Sequence, residues 1–219
     1  YGMLPKGFPG YQVDRVQPHQ KFDPEHARQL LTEAGYPDGK GLPSLELWVR
    51  GEPPTTDEWN VVVAIQEMLK EHLNINMKIR QQSTNAFNAF MRNHEIPWGF
   101  LWFNMDYPDP SDMIAVPWRS QPTGAGRQDW QHDVFDRLVD NAAQEFDDRK
   151  RVGMYQEAEE ILAQQTAGVF LYNLVNASLS KPWVKGIDLN KYGDRRWSGF
   201  APSFAALYVG RHDEVGDRK

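Results

Sequence analysis

Phe22-Asp23-Pro24-Glu25-His26-Ala27-Arg28-Gln29-Leu30-Leu31-Thr32-Glu33-Ala34-Gly35-Tyr36 carries every signal a helix needs, in order. Asp23 is placed to accept from the first free backbone amides, and Pro24 has the φ of a first turn. Glu25 puts a negative charge at the positive end of the helix dipole. Ala27, Leu30, Leu31 and Ala34 form an apolar stripe, and Gly35 is placed to end it. Outward from this helix the periodicity alternates. Leu45-Glu46-Leu47-Trp48-Val49-Arg50 has period two, as a half-buried strand does. Thr55-x-x-Glu58 offers a capping box to a helix carrying Val62, Ile65, Leu69 and Leu73. Asn76 to Arg80 alternates again, Thr84 is placed to cap a short helix through Phe87, Phe90 and Met91, and Trp98 to Asn104 reads as a continuous apolar strand. Strand, helix, strand, helix, strand predicts an α/β layer structure.

Residues 1–21, rich in Pro, Gly and Gln, predict an extended lead-in segment, with the folded lobe occupying 22–219. Beyond the central units the pattern predicts helices over 133–146 and 148–165. The second has Val152, Tyr155, Ala158, Ile161 and Leu162 on one face. A buried strand is expected from Val169 to Val175, an extended pair from Ala177 to Leu189 around Pro182, and a last short strand from Phe204 to Val209.

Composition narrows the function classes. A formal charge of -6, with Arg149-Lys150-Arg151 as the one basic cluster, disfavours nucleic acid as a partner, because phosphate backbones demand grouped cations. The chain has no cysteine, which removes disulfides, thiolate metal sites and cysteine nucleophiles together. Histidines at 19, 26, 72, 94, 132 and 212 never fall in H-x-x-x-H spacing, and no serine sits in G-x-S-x-G. No metal, cofactor or catalytic nucleophile is therefore expected. No run of about eighteen apolar residues is present to cross a bilayer as a helix.

One constellation stands out: Trp98-Gly-Phe-Leu-Trp102-Phe103-Asn104-Met105-Asp106-Tyr107-Pro108-Asp109-Pro110-Ser111-Asp112. An apolar strand runs into aromatics, three carboxylates and two prolines that stiffen the turn. Strand ends are where α/β proteins place ligands, and a carboxylate beside aromatic faces suits an ammonium group. The competing reading is a turn whose Asp109 and Asp112 only cap the next helix. Between the acids, Asp106 is the expected functional group and Asp112 the expected cap. A second functional reading makes these acids the pair of a glycoside hydrolase, which needs two carboxyl groups about 5–10 Å apart. A third is a structural or partner-binding module.

The order of motifs resembles the dipeptide, oligopeptide and nickel-binding family of extracellular solute-binding proteins that serve ABC importers. Residues 22–36 match that family's Y-D-P-E-K-A-K-x-L-L-x-E-A-G helix, and Leu4 to Tyr11 is similar to its approach to the second lobe. Trp102 to Asp112 resembles its aromatic-x-x-D-Y-x-D-P segment. Asp133 to Val139 resembles N-P-E-F-D-x-L-I, and Tyr155 to Leu162 resembles Y-x-x-A-x-x-I-L. The resemblance implies one lobe of a type II periplasmic-binding-protein-like fold, a mixed sheet flanked by helices, here the C-terminal lobe with the N-terminal lobe absent from this chain. It implies a binder and not an enzyme, taking peptides or similar small solutes in an interlobe cleft. Asp106 would receive the ligand's α-amino group, with Phe103 and Trp102 as aromatic walls and Asn104 and Tyr107 as polar contacts. The family places tryptophan where this chain has Phe103. Expected partners are the solute and the permease subunits of the transporter. The expected location is periplasmic or extracellular at the cell surface, with the membrane reached only through the transporter or a lipid anchor outside this chain.

Overall fold

The computed structural model describes residues 2–51, 57–120, 129–173, 179, 181–185 and 208–210. In chain order these hold α1 (Val13–Val16), α2 (Pro24–Glu33), β1 (Leu45–Arg50), α3 (Asp57–Leu73), β2 (Met77–Gln82), α4 (Thr84–Arg92) and β3 (Gly99–Phe100). They continue with α5 (Pro110–Trp118), α6 (Asp133–Ala142), α7 (Asp148–Gln164), β4 (Val184–Lys185) and β5 (Tyr208–Val209). The chain divides into two compact units. One comprises residues 1–17, 104–116 and 137–219, and the other residues 18–103 and 117–136.

The unit built on residues 18–103 contains a parallel sheet of order β2-β1-β3. Its opening helix forms as the sequence dictates: the Asp23 carboxylate accepts from the His26 amide at 3.1 Å, Pro24 starts the helix, and Gly35 follows its end at φ +89°. The apolar stripe of α2 is only partly covered, since Leu30 stays 51% exposed. Gly39 is required where it stands. Its φ is +70°, and a Cβ there would lie 2.9 Å from the Leu73 carbonyl oxygen at the end of α3.

The central strand departs from the half-buried expectation. Leu47 and Val49 pack with Val62 and Met77, while Trp48, on the opposite face, meets Phe90 of α4 edge-on at 5.2 Å between ring centres. All three are buried because helices cover both faces of β1, so the alternation of the sequence marks two cores instead of a core and a solvent face. Helix α4 is capped one residue earlier than expected, by Ser83, whose hydroxyl accepts from the Ala86 amide. The apolar run from Trp98 to Asn104 yields only the two-residue β3. Trp98, Leu101 and Trp102 are each more than a third exposed, because β3 pairs with β1 over two residues and then leaves the sheet. In the same unit Trp130 stacks on His132 and meets Trp118 and Phe135 edge-on.

The other unit is organised on α7, whose face of Tyr155, Ala158, Leu162 and Ala163 is buried together with Glu159. Its Asp147 caps the helix by accepting from the amides of Arg149 and Lys150. The segment expected to be extended contributes Leu4, Phe8 and Val16 to the buried residues and forms the helical turn α1. It is fastened to α7 by several polar links. The Leu4 amide donates to Glu159 Oε1 at 2.9 Å, the Gln156 amide side chain donates to the Gly10 carbonyl at 3.2 Å, and Arg15 ion-pairs with Glu160. Gly2, at φ +89°, leaves room for that carboxylate, since a Cβ would stand 2.6 Å from Glu159 Oε1.

The strand expected over Val169–Val175 does not form in its described part. Residues 169–173 make no strand pairing, and Val169, Leu171 and Tyr172 are exposed, because an apolar run becomes a strand only where another strand accepts its backbone groups. Within the range of the expected extended pair the described residues form only β4, and within that of the last strand only β5; these two join antiparallel. Thr55, residues 174–178, 186–189 and 204–207 lie outside the described residues.

Candidate functional site

The residues singled out at the end of β3 fall on both sides of the division of the chain: Trp102 and Phe103 belong to the unit of the parallel sheet, and Asn104, Asp106 and Tyr107 to the unit of α7. Trp102 is 41% exposed, with the Arg50 guanidinium over its ring. Phe103 is half-buried, and Asn104, Asp106 and Tyr107 are exposed.

The three carboxylates of this segment hold three different positions. Asp109 caps α5: its carboxylate accepts from the Ser111 amide at 2.9 Å and pairs with Arg151 at 2.8 Å. Partial burial opposes its ionisation, but the Ser111 bonds and the Arg151 guanidinium outweigh that, so its carboxyl sits below the ordinary value. Asp112 is 1% exposed and points backward instead of capping. Its Oδ2 accepts from the Asp106 amide at 2.6 Å and the Tyr107 amide at 3.4 Å. The expected division of labour is thus corrected. Asp109 supplies the cap, because it directly precedes Pro110, and Asp112, in the first turn, clamps the bend that carries Asp106.

Asp106 is the acid left over. Its backbone is held by Asp112, its side chain is exposed, and among the described residues no cation pairs with its carboxylate. Asp106 therefore combines a fixed backbone with a solvent-exposed carboxylate. The arrangement does not suit two-carboxylate hydrolysis, since Asp109 is tied to Arg151 and Asp112 is enclosed and bonded.

The family model for the middle region of the bacterial extracellular solute-binding proteins, family 5, matches residues 1–125. The chain belongs to this family. The family consists of substrate-binding proteins and not of enzymes. The periplasmic oligopeptide-binding protein OppA of Salmonella typhimurium is 26% identical over 74% of this chain and 29% of its own length. The dipeptide-binding protein DppE of Bacillus subtilis is 26% identical over 84% of this chain and 33% of its own. The chain thus spans about a third of the length of these curated relatives. The solved structure of the Escherichia coli murein tripeptide-binding protein MppA matches 95% of this chain and 39% of its own, with a TM-score of 0.69 at 22% identity, which shows that the fold is shared. No helix among the described residues is long and apolar enough to cross a membrane.

Two further groups escaped the sequence reading. Glu159 sits beside Glu160 in a polar-looking stretch, yet it is 1% exposed. Burial pushes its carboxyl up to about 7 against the opposing hydrogen bonds from the Leu4 and Met3 amides and the Gln12 side chain. The signal was present: 155, 159 and 162 follow the spacing of one helix face, which places Glu159 with Tyr155 and Leu162. Arg50 read only as the last polar residue of an alternating strand.

Proposed function

We propose that this chain is the C-terminal lobe of a solute-binding protein that captures peptides or similar small solutes for an ABC importer, with the expected lead-in packed into that lobe as part of its core. Asp106 takes the ammonium group of the solute. Trp102 and Phe103 offer aromatic surface, and Asn104 and Tyr107 polar contacts. The observation that carries the reading is the sorting of the acids: Asp109 and Asp112 are committed to the fold, and Asp106 is held in place with its carboxylate unpaired among the described residues. Family membership and the names of the relatives support the same direction. Binding is non-covalent, in a cleft between two lobes that close by hinge motion, and the solute passes to the permease subunits outside the cytoplasm.

The protein performs no chemistry on its solute. Incubation of the full-length protein with peptide and glycoside libraries is expected to leave every component intact at the rate of buffer alone. Mass spectrometry of the mixture checks this. Turnover that disappears on substitution of Asp106 or Asp109 would instead establish the hydrolase reading.

A further inference from the structure

Two acids brace the bend that carries Asp106, and the helix that follows the bend needs only one of them. Asp109 starts α5: its carboxylate accepts from the Ser111 amide at 2.9 Å, and its backbone carbonyl accepts from the Asp112 amide at 3.1 Å. Arg151 ties the same carboxylate to α7 at 2.8 Å. Asp112 is therefore not required as a cap. Yet it is 1% exposed, and enclosing a carboxyl group costs stability unless its hydrogen bonds offset the loss of water. Pro110 and Ile114, two residues to either side in α5, are buried as well, so Asp112 stands on a packed stretch of helix. All of these residues lie in the unit of α7.

The bonds made by Asp112 point to what its burial achieves. Its Oδ2 accepts from the Asp106 amide at 2.6 Å and from the Tyr107 amide at 3.4 Å. Two consecutive N–H groups thus converge on one buried oxygen, and the positive ends of both peptide dipoles are turned inward. An ammonium group arriving at the exposed Asp106 carboxylate meets that charge without two outward-facing amides opposing it. The same bonds restrict the backbone at residues 106 and 107 before any solute arrives, so less freedom is lost on binding.

We propose that Asp112 is the positioning residue of the Asp106 site: without touching the solute, it sets how strongly the site distinguishes a free amine from a neutral group. This inference rests on the reading of Asp106 as the ammonium anchor and adds to it a residue buried behind the bend.

The test uses the full-length protein and a library of short peptides, each supplied with a free and with an acetylated amino terminus, with retention read by native mass spectrometry and folding by thermal melting. The wild-type protein is expected to retain the free amines at least about thirtyfold over the acetylated forms. Asp112→Ala should cut that preference about tenfold by weakening retention of the free amines alone. Added to Asp106→Asn, it should cause no further loss of preference, because the two residues act as one unit. Asp112→Asn keeps an acceptor without the charge and should lower the preference about threefold with the fold intact. An unchanged preference in Asp112→Asn therefore overturns the inference even if the alanine variant does not fold. Equal weakening of both peptide forms in a folded Asp112→Ala also overturns it, since that is the mark of a purely structural role. Both of those outcomes leave Asp106 standing as the anchor, whereas a wild-type protein with no preference for free amines overturns the anchor and this inference with it.

Discussion

Asp106→Asn in the full-length protein is expected to weaken binding of a solute with a free amino group by about 2–5 kcal/mol, the cost of removing one partner of an enclosed charged pair. The N-acetylated form of the same solute should bind wild type and variant alike. The size of the effect follows from what surrounds Asp106. The clamp from Asp112 reaches the Asp106 backbone amide, so an asparagine keeps the bend and loses only the charge. Among the described residues no cation takes up that charge, so the ammonium of the solute is its first strong partner. Thermal stability should hardly change, because the side chain makes no bond within the described residues. Calorimetry with the two forms of the solute distinguishes the alternatives: an equal loss for both would mean that Asp106 holds the bend together and is not the anchor.

Glu159 gives the second large effect, on stability and its pH dependence. Its carboxyl is raised from the ordinary 4.5 to about 7 in the folded protein. Between these values the folded state holds a proton that the unfolded chain has released. Stability from this group is therefore full below pH 4.5, falls as pH rises, and levels off above about pH 7. The total is about 3 kcal/mol if the unfolded chain titrates normally. Asp109 acts in the opposite sense: its lowered carboxyl adds stability above its ordinary value of 3.8, and acid removes it. Glu159→Gln should flatten the decline from pH 4.5 to 7 and raise stability at pH 8, since the amide oxygen still accepts from Leu4 without a buried charge. Glu159→Ala leaves the Leu4 amide unpaired and should cost about 1–3 kcal/mol at pH 5. Urea unfolding at pH 5 and pH 8 measures both. A wild-type stability that rises from pH 5 to 8, with Glu159→Gln following it, would show that this carboxyl is ionised throughout.

Much of the fold was legible because local chemistry and tertiary structure agree. Asp23, Pro24 and Gly35 bracket α2 where the sequence places them, and the switch between periods of two and 3.6 gives β1, α3, β2 and α4 in order. The failures occur where the outcome depends on a neighbour far away in sequence. Residues 98–104 and 169–173 are both rich in apolar side chains, and only Gly99 and Phe100 form a strand, because only they stand in register with β1. Trp48 looked solvent-facing until α4 covered it. The site divides the same way. The Trp102–Asp112 stretch was visible as a cluster, but which of its acids stayed free depended on Arg151, forty-two residues beyond Asp109. For Glu159 the helix-face spacing was there to read, but its partners were not: the Leu4 amide that bonds it belongs to a segment the sequence presented as a featureless lead-in.

The central claim is that this family member captures a solute through an ammonium anchor and does not transform it. Native mass spectrometry of the full-length protein, released from cells under conditions that retain its solute, tests this most directly. The account predicts a complex heavier than the protein by one intact small molecule bearing a primary amine, released without modification on denaturation and absent from Asp106→Asn. A retained molecule with no cationic nitrogen, or one held equally by Asp106→Asn, would contradict it.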